Sequence, residues 1–113
     1  MDKELISARI DFIIKHIDLA TSDLENVDLE TFDENSLLAR AVSFSIEQIC
    51  EHISKLRKKM EDKYPNIPWD KIYDTRIVIA HIYTKVDTRT VYRIVKKDLP
   101  SLREQMLEMK NNL

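Results

Sequence analysis

Arg76, His81 and Tyr83 place a permanent cation, an imidazole and a phenol within eight residues of an otherwise apolar run, Arg-Ile-Val-Ile-Ala-His-Ile-Tyr. Phosphate chemistry uses these residue types. A guanidinium is a planar, always-charged fork for phosphoryl oxygens, and an imidazole titrating near neutrality takes up and returns protons. On a helix turning by roughly 100° per residue, Arg76, Ala80 and Tyr83 share one stripe, and Ile77, His81 and Thr84 share a second. Arg76 and His81 are then roughly 140° apart around the axis, so one straight helix does not aim them at each other. Either the long Arg side chain wraps round, or the helix starts or bends near Arg76, or the two groups meet across a dimer. The dimer is the favoured arrangement. The small Ala80 lets a second helix approach closely, and a two-fold axis there brings two copies of every group into one cleft.

Other candidate groups are weaker. His16 lies among polar positions and is expected at the surface, whereas His52 can face solvent or core. Glu47 and Glu51 beside His52 make no recognised metal motif, so no metal site and no cofactor is expected. Taken alone, His81 in an apolar helix also fits a hydrogen-bonded core residue.

The elements that position these groups are helical. The chain has 113 residues, enough for one domain with a core, and no glycine. That absence excludes the glycine loops that cradle nucleotide phosphates and disfavours tight hairpins. A single cysteine, Cys50, allows no internal disulfide and suits a reducing, cytoplasmic setting. No apolar run approaches the roughly eighteen residues of a membrane span, and Met1-Asp2-Lys3-Glu4 does not open like a signal peptide.

Ile6, Ile10, Ile13, Ile17 and Leu24 form an apolar stripe that predicts a first helix over about 3–25. Residues 26–32 read as a connection. Asp33 is the predicted N-cap of a second long helix, with Leu38, Val42, Ile46, Ile49, Ile53, Leu56 and Met60 inward. These two helices are expected to pack antiparallel. Lys55, Arg57, Lys58 and Lys59 close the second helix, where cations complement its dipole. Pro65 and Pro68 break the pattern, and Pro68 begins a third helix that carries the Arg76 stretch, with Trp69 and Ile72 reaching the core. Asp87 is the predicted N-cap of a fourth helix with Val91, Ile94 and Val95 inward. Pro100 ends or kinks it, and Leu102, Met106, Met109 and Leu113 mark a last inward stripe. The expected architecture is an all-α, four- to five-helix bundle in one domain over 1–113.

The net charge of −2 conceals an asymmetry. Residues 1–35 hold ten acids against three bases, whereas 76–97 hold Arg76, Lys85, Arg89, Arg93, Lys96 and Lys97 against Asp87 alone. Lys85, Arg89, Arg93, Lys96 and Lys97 are therefore either the solvated face of an amphipathic helix or a local surface that steers RNA.

Arg76-x4-His81-x-Tyr83 resembles the Arg-x4-His-x-Tyr motif of the HepT toxins, within the HEPN superfamily of helical domains. The surroundings carry the likeness further. Tyr64-Pro-Asn-Ile-Pro-Trp69, Val86-Asp87, Val91-Tyr92-Arg93-Ile94-Val95 and Asp98-Leu99-Pro100-Ser101-Leu102 resemble the family's layout, as do Arg40-Ala41-Val42 and Ile49-Cys50-Glu51 on the second helix. The resemblance implies a HEPN-like dimeric bundle and a metal-independent ribonuclease toxin with Arg76 and His81 of both subunits lining a cleft. It also implies an MntA-type nucleotidyltransferase antitoxin that adds adenylate to the motif tyrosine, here Tyr83.

Those roles agree with the chemistry. RNA is cleaved without a metal when its own 2′-hydroxyl attacks phosphorus, which needs a base for that proton, an acid for the leaving oxygen and a cation for the charged phosphorane. His81 suits the proton transfers and Arg76 the phosphate. An adenylate on Tyr83 would put negative charge and bulk beside Arg76. Ile77 stands where the family usually has a polar residue, and Cys50 where it has glycine. Glu51 is placed either to orient Arg76 or to hold helices together, and Asp74 is a possible counter-charge for Arg76. A HEPN interaction module that keeps the scaffold and partner without the nuclease is the alternative reading, with Ile77 as its motive.

Overall fold

The computed structural model describes residues 2–80 and 88–113, and at 78 and 80 the backbone alone. Every regular element among them is helical: α1 Lys3–Asp23, α2 Leu29–Glu34, α3 Ser36–Met60, α4 Trp69–Ala80, α5 Thr88–Arg93, a π-helical turn Ile94–Asp98, and α6 Leu99–Asn111. The last three run on as one rod, so the described chain is a bundle of five helices, four long or medium and one short.

Side-chain oxygens start three of them. Asp2 accepts from the Leu5 N–H at 2.9 Å, Asp28 from Thr31 at 2.8 Å and Asn35 from Leu38 at 3.0 Å, each taking up a donor that the first turn leaves free. Two expectations are corrected here. Residues 26–32 are not wholly a connection, because Asp28 nucleates α2, which buries Phe32 completely. Asp33 is therefore inside α2 and caps nothing; Asn35, with extended backbone, caps α3, and Asp33 instead accepts a hydrogen bond from Thr88 Oγ1.

The apolar stripes face one another as their spacing predicts. Ile6, Ile10, Ile13, Ile17 and Leu24 are buried, as are Val42, Ile46, Ile49, Ile53, Leu56 and Met60 across from them. Arg9 of α1 meets His52 of α3, and further along α1 His16 meets Phe44, so the two helices are antiparallel. α6 runs antiparallel along α1 as well. Arg103 binds Asp18 through two nitrogens at 2.7 and 3.2 Å, and Lys110 reaches Asp11 at 2.6 Å, two helical turns further on both helices. Val91, Ile94, Val95, Leu102, Met106 and Met109 close the core from this side.

Pro100 does not end the rod. It lacks the N–H that an α-helix would bond to residue 96, and the chain widens just before it, the Leu99 N–H bonding back five residues to Ile94. The π-turn absorbs the proline ring and α6 continues. Trp69 is seated by its indole N–H, which donates to the Tyr64 carbonyl at 2.9 Å, so the Tyr64-Pro-Asn-Ile-Pro segment becomes the scaffold that starts α4. No helix among the described residues is long and apolar enough to cross a membrane.

Candidate functional site

Arg76 lies on the outward side of α4, near its end. Its guanidinium sits 5.5 Å from the centre of the Tyr73 ring, one turn earlier. Tyr73 and Ile77 are 50% and 61% exposed, so the outward flank of α4 next to Arg76 presents apolar surface. Ile72 and the fully buried Ile79, four residues before and three after Arg76, turn the adjoining face of α4 to the core, so Arg76 stands at the border between the two faces. Asp74 forms no ion pair with Arg76 among the described residues, because positions two apart on a helix point in opposed directions. The counter-charge expected there is absent.

Arg76 closes one wall of an open groove of about 680 Å³ between α4 and α3, lined also by Glu47, Gln48, Glu51, Ser54, Lys55 and Lys58. The α3 residues fall at i, i+1, i+4, i+7, i+8 and i+11, a polar face turned away from the buried one. Glu51 therefore shares the groove with Arg76, but its ion pair is with Lys55 at 3.5 Å. Beneath the groove the helices approach closely. Cys50 is buried, and its Sγ is 3.4 Å from the Ile72 carbonyl oxygen. Burial pushes this thiol up to about 12, although the nearby Arg76 charge acts the other way.

His81, Tyr83 and Lys85 lie outside the described residues, as does the Asp87 cap. The remaining cations expected to form one basic face are divided by the π-turn. Arg89 and Arg93 are exposed on α5. Lys96 turns back to α1, where Nζ donates to the Leu24 carbonyl at 2.6 Å and lies 5.6 Å from the Tyr92 ring. Tyr92 itself donates to the Val27 carbonyl at 2.6 Å, so the pair closes the end of α1. Lys97 lines a different, narrower cleft of about 320 Å³ with Asn66, Lys71 and Gln105, on the other flank of α4.

A second cluster, on the α1–α3 face, leaves no mark in the residue spacing. His16, expected at the surface, is 6% exposed. Its ring lies 4.6 Å from Phe12 and 5.9 Å from Phe44. The polar neighbours of His16 in sequence point elsewhere, and α3 covers it. Phe12 also stacks on His52 at 4.3 Å, and His52 Nδ1 is 2.8 Å from the Arg9 guanidinium. A guanidinium only donates, so Nδ1 accepts and His52 is the neutral tautomer protonated at Nε2. Desolvation lowers the pKa of both histidines, aided at His16 by Lys15 and at His52 by Arg9. Arg9 Nε and His16 Nδ1 are buried without a hydrogen-bond partner among the described residues. Among the described residues no group of three or more His, Cys, Asp or Glu is arranged to hold a metal ion.

The family model described as "Ribonuclease HepT-like" matches residues 13–109. Among curated proteins, the chain is 30% identical over 105 residues to one named "Putative RNase MJ1216" from Methanocaldococcus jannaschii, covering 93% of this chain and 87% of that protein. It is 29% identical over 84 residues to one named "Probable ribonuclease HepT" from Thermococcus cleftensis, covering 71% of this chain and 76% of that one. No solved structure matches it significantly. The matched span runs from the middle of α1 to the last turns of α6 and contains the Arg76-x4-His81-x-Tyr83 stretch, and the chain belongs to the HepT-like ribonuclease family.

Proposed function

We propose that this chain is a metal-independent endoribonuclease toxin, with Arg76 and His81 as its catalytic residues. The observation that carries the reading is the placement of Arg76: exposed on α4, without an acidic partner at Asp74, and at the edge of an open groove of about 680 Å³. A guanidinium in that position binds a scissile phosphate and stabilises the added negative charge of the phosphorane. His81 takes the 2′-hydroxyl proton, and a histidine returns a proton to the leaving 5′-oxygen. Family membership and the ribonuclease names of the relatives support the same reading.

The active form is a homodimer whose two Arg76/His81 pairs share one cleft and divide the acid and base roles. Exposed Tyr73 and Ile77 beside Arg76 supply an apolar surface for the second copy. The partner in the cell is an MntA-type nucleotidyltransferase antitoxin, and Tyr83 is the residue it modifies with adenylate. The exposed Ile77 also favours a second reading, an interaction module that docks such a partner without cleaving RNA.

Growth on inducing the chain alone, beside His81→Ala and Arg76→Ala at matched expression, separates the two. Arrest by the parent and not by the variants, with fragmented RNA in the arrested cells, supports the nuclease. Three harmless, folded proteins would leave only the interaction module.

A further inference from the structure

The groove that Arg76 closes is not lined by any of the described cations that the charge run singles out. Arg89 and Arg93 stand on α5, Lys96 is committed to the end of α1, and Lys97 lines the cleft on the other flank of α4. Its other two cations come from α3. Lys55 and Lys58 are exposed, one turn apart, on the same polar stripe as Ser54 and Glu51. From Glu47 to Lys58 that stripe spans about 16 Å at 1.5 Å per residue. Its charge is graded, with Glu47 and Glu51 at one end and Lys55 and Lys58 at the other. Arg57, between them in sequence, is turned away and held by Glu61 and Asp70.

We infer that Lys55 and Lys58 bind the RNA backbone on its way to Arg76, so that the strand lies along the carboxyl-terminal half of α3 and not along α5. The inference rests on the ribonuclease reading above and names the substrate track for that site. Lys58 has no ion pair within the described chain, and Lys55 has only an exposed one with Glu51, which a phosphate displaces at little cost. α4 runs antiparallel along α3, with Asp70 at Arg57 and Ile72 at Cys50, so Arg76 stands toward Glu47 and Glu51 and the lysines hold the strand at the end of the groove away from it. These lysines are positioning residues, acting on the strand away from the scissile phosphate.

The test uses the full chain with His81→Ala, which stops cleavage, and a short fluorescein-labelled single-stranded RNA followed by anisotropy across a salt series. For single strands each phosphate contact contributes about 0.7 to the slope of log affinity against log salt, so removing both lysines as Lys55→Gln/Lys58→Gln should reduce it by about 1.4. Between 50 and 200 mM salt, the difference in affinity between parent and variant then narrows about sevenfold. Arg89→Gln/Arg93→Gln is the comparison, and thermal unfolding checks that all variants fold. An unchanged slope in the lysine variant, or the loss appearing in the arginine variant instead, overturns the inference. A parent that binds no RNA overturns it together with the nuclease reading. A reduced slope in a chain whose His81-containing form cleaves nothing upholds the track and removes only the nuclease.

Discussion

Arg9 and His52 stand 2.8 Å apart, guanidinium to Nδ1, and join α1 to α3 through a histidine that must be neutral to accept the bond. Beside them His16 is packed between two phenylalanines with its Nδ1 unpaired. Both histidines have pKa values lowered from 6.5 by desolvation first. The unfolded chain therefore binds protons that the folded chain refuses. Stability is full above pH 6.5 and falls as the pH drops through the folded values. Thermal unfolding from pH 8 down to pH 5 should show the midpoint falling below pH 6.5. The double variant His16→Leu/His52→Gln should flatten that part of the curve, and an unchanged fall would assign it to other groups. His16→Leu alone should gain about 1 kcal/mol at pH 8, because it removes an unsatisfied buried nitrogen.

Lys96 illustrates a cation with a structural duty. Its bond to the Leu24 carbonyl satisfies the end of α1, where a positive charge also complements the dipole. Lys96→Met keeps the stem and removes the charge. It should lower stability by about 1 kcal/mol, or about 4 °C in Tm, and leave the salt slope of RNA binding unchanged.

At Arg76 the geometry of the charge matters as much as its sign. Lysine would keep a cation at the groove but lose the planar fork. Arg76→Lys should reduce kcat for RNA cleavage about 100-fold with a small change in KM, as expected of a group whose bond tightens only in the transition state. Equal losses in binding and turnover would make Arg76 a binding residue only.

Among the described residues of α4, Ile77 is the most exposed apolar side chain, and the proposed dimer would cover it. Ile77→Lys should shift sedimentation from dimer to monomer while leaving the helical spectrum intact. A variant that remains dimeric would place the contact on another face, such as the one that exposes Phe44 and Leu37.

Cys50 should be chemically silent. Its thiol is buried and pushed up to about 12, so almost no thiolate is present at neutral pH. Iodoacetamide should leave the folded protein unlabelled at pH 8 and label it in guanidinium chloride. Rapid labelling of the folded chain would mean that α3 and α4 separate in solution.

The sequence by itself determined the helices and their inward faces. Each stripe repeats with the period of a helix, and an apolar stripe has one way to leave water, so Ile6 to Leu24 and Val42 to Met60 were legible before any contact was known. The Arg76, His81 and Tyr83 spacing and the surrounding segments were likewise sufficient to mark the family. Local signals failed where two compete at short range. Asn35 took the capping role assigned to Asp33, Asp28 started a short helix in the segment read as a connection, and at Pro100, read as an end or a kink, a π-turn carried the helix on. What only the tertiary structure decided is which charges share a surface. The five basic residues of 85–97 are close in sequence, but the π-turn and the end of α1 send Lys96 and Lys97 to different places, while Lys55 and Lys58, read only as complements to a helix dipole, line the same groove as Arg76. His16 is buried for the same reason. Burial and charge clustering depend on which helix lies across the way, and sequence neighbours do not contain that information.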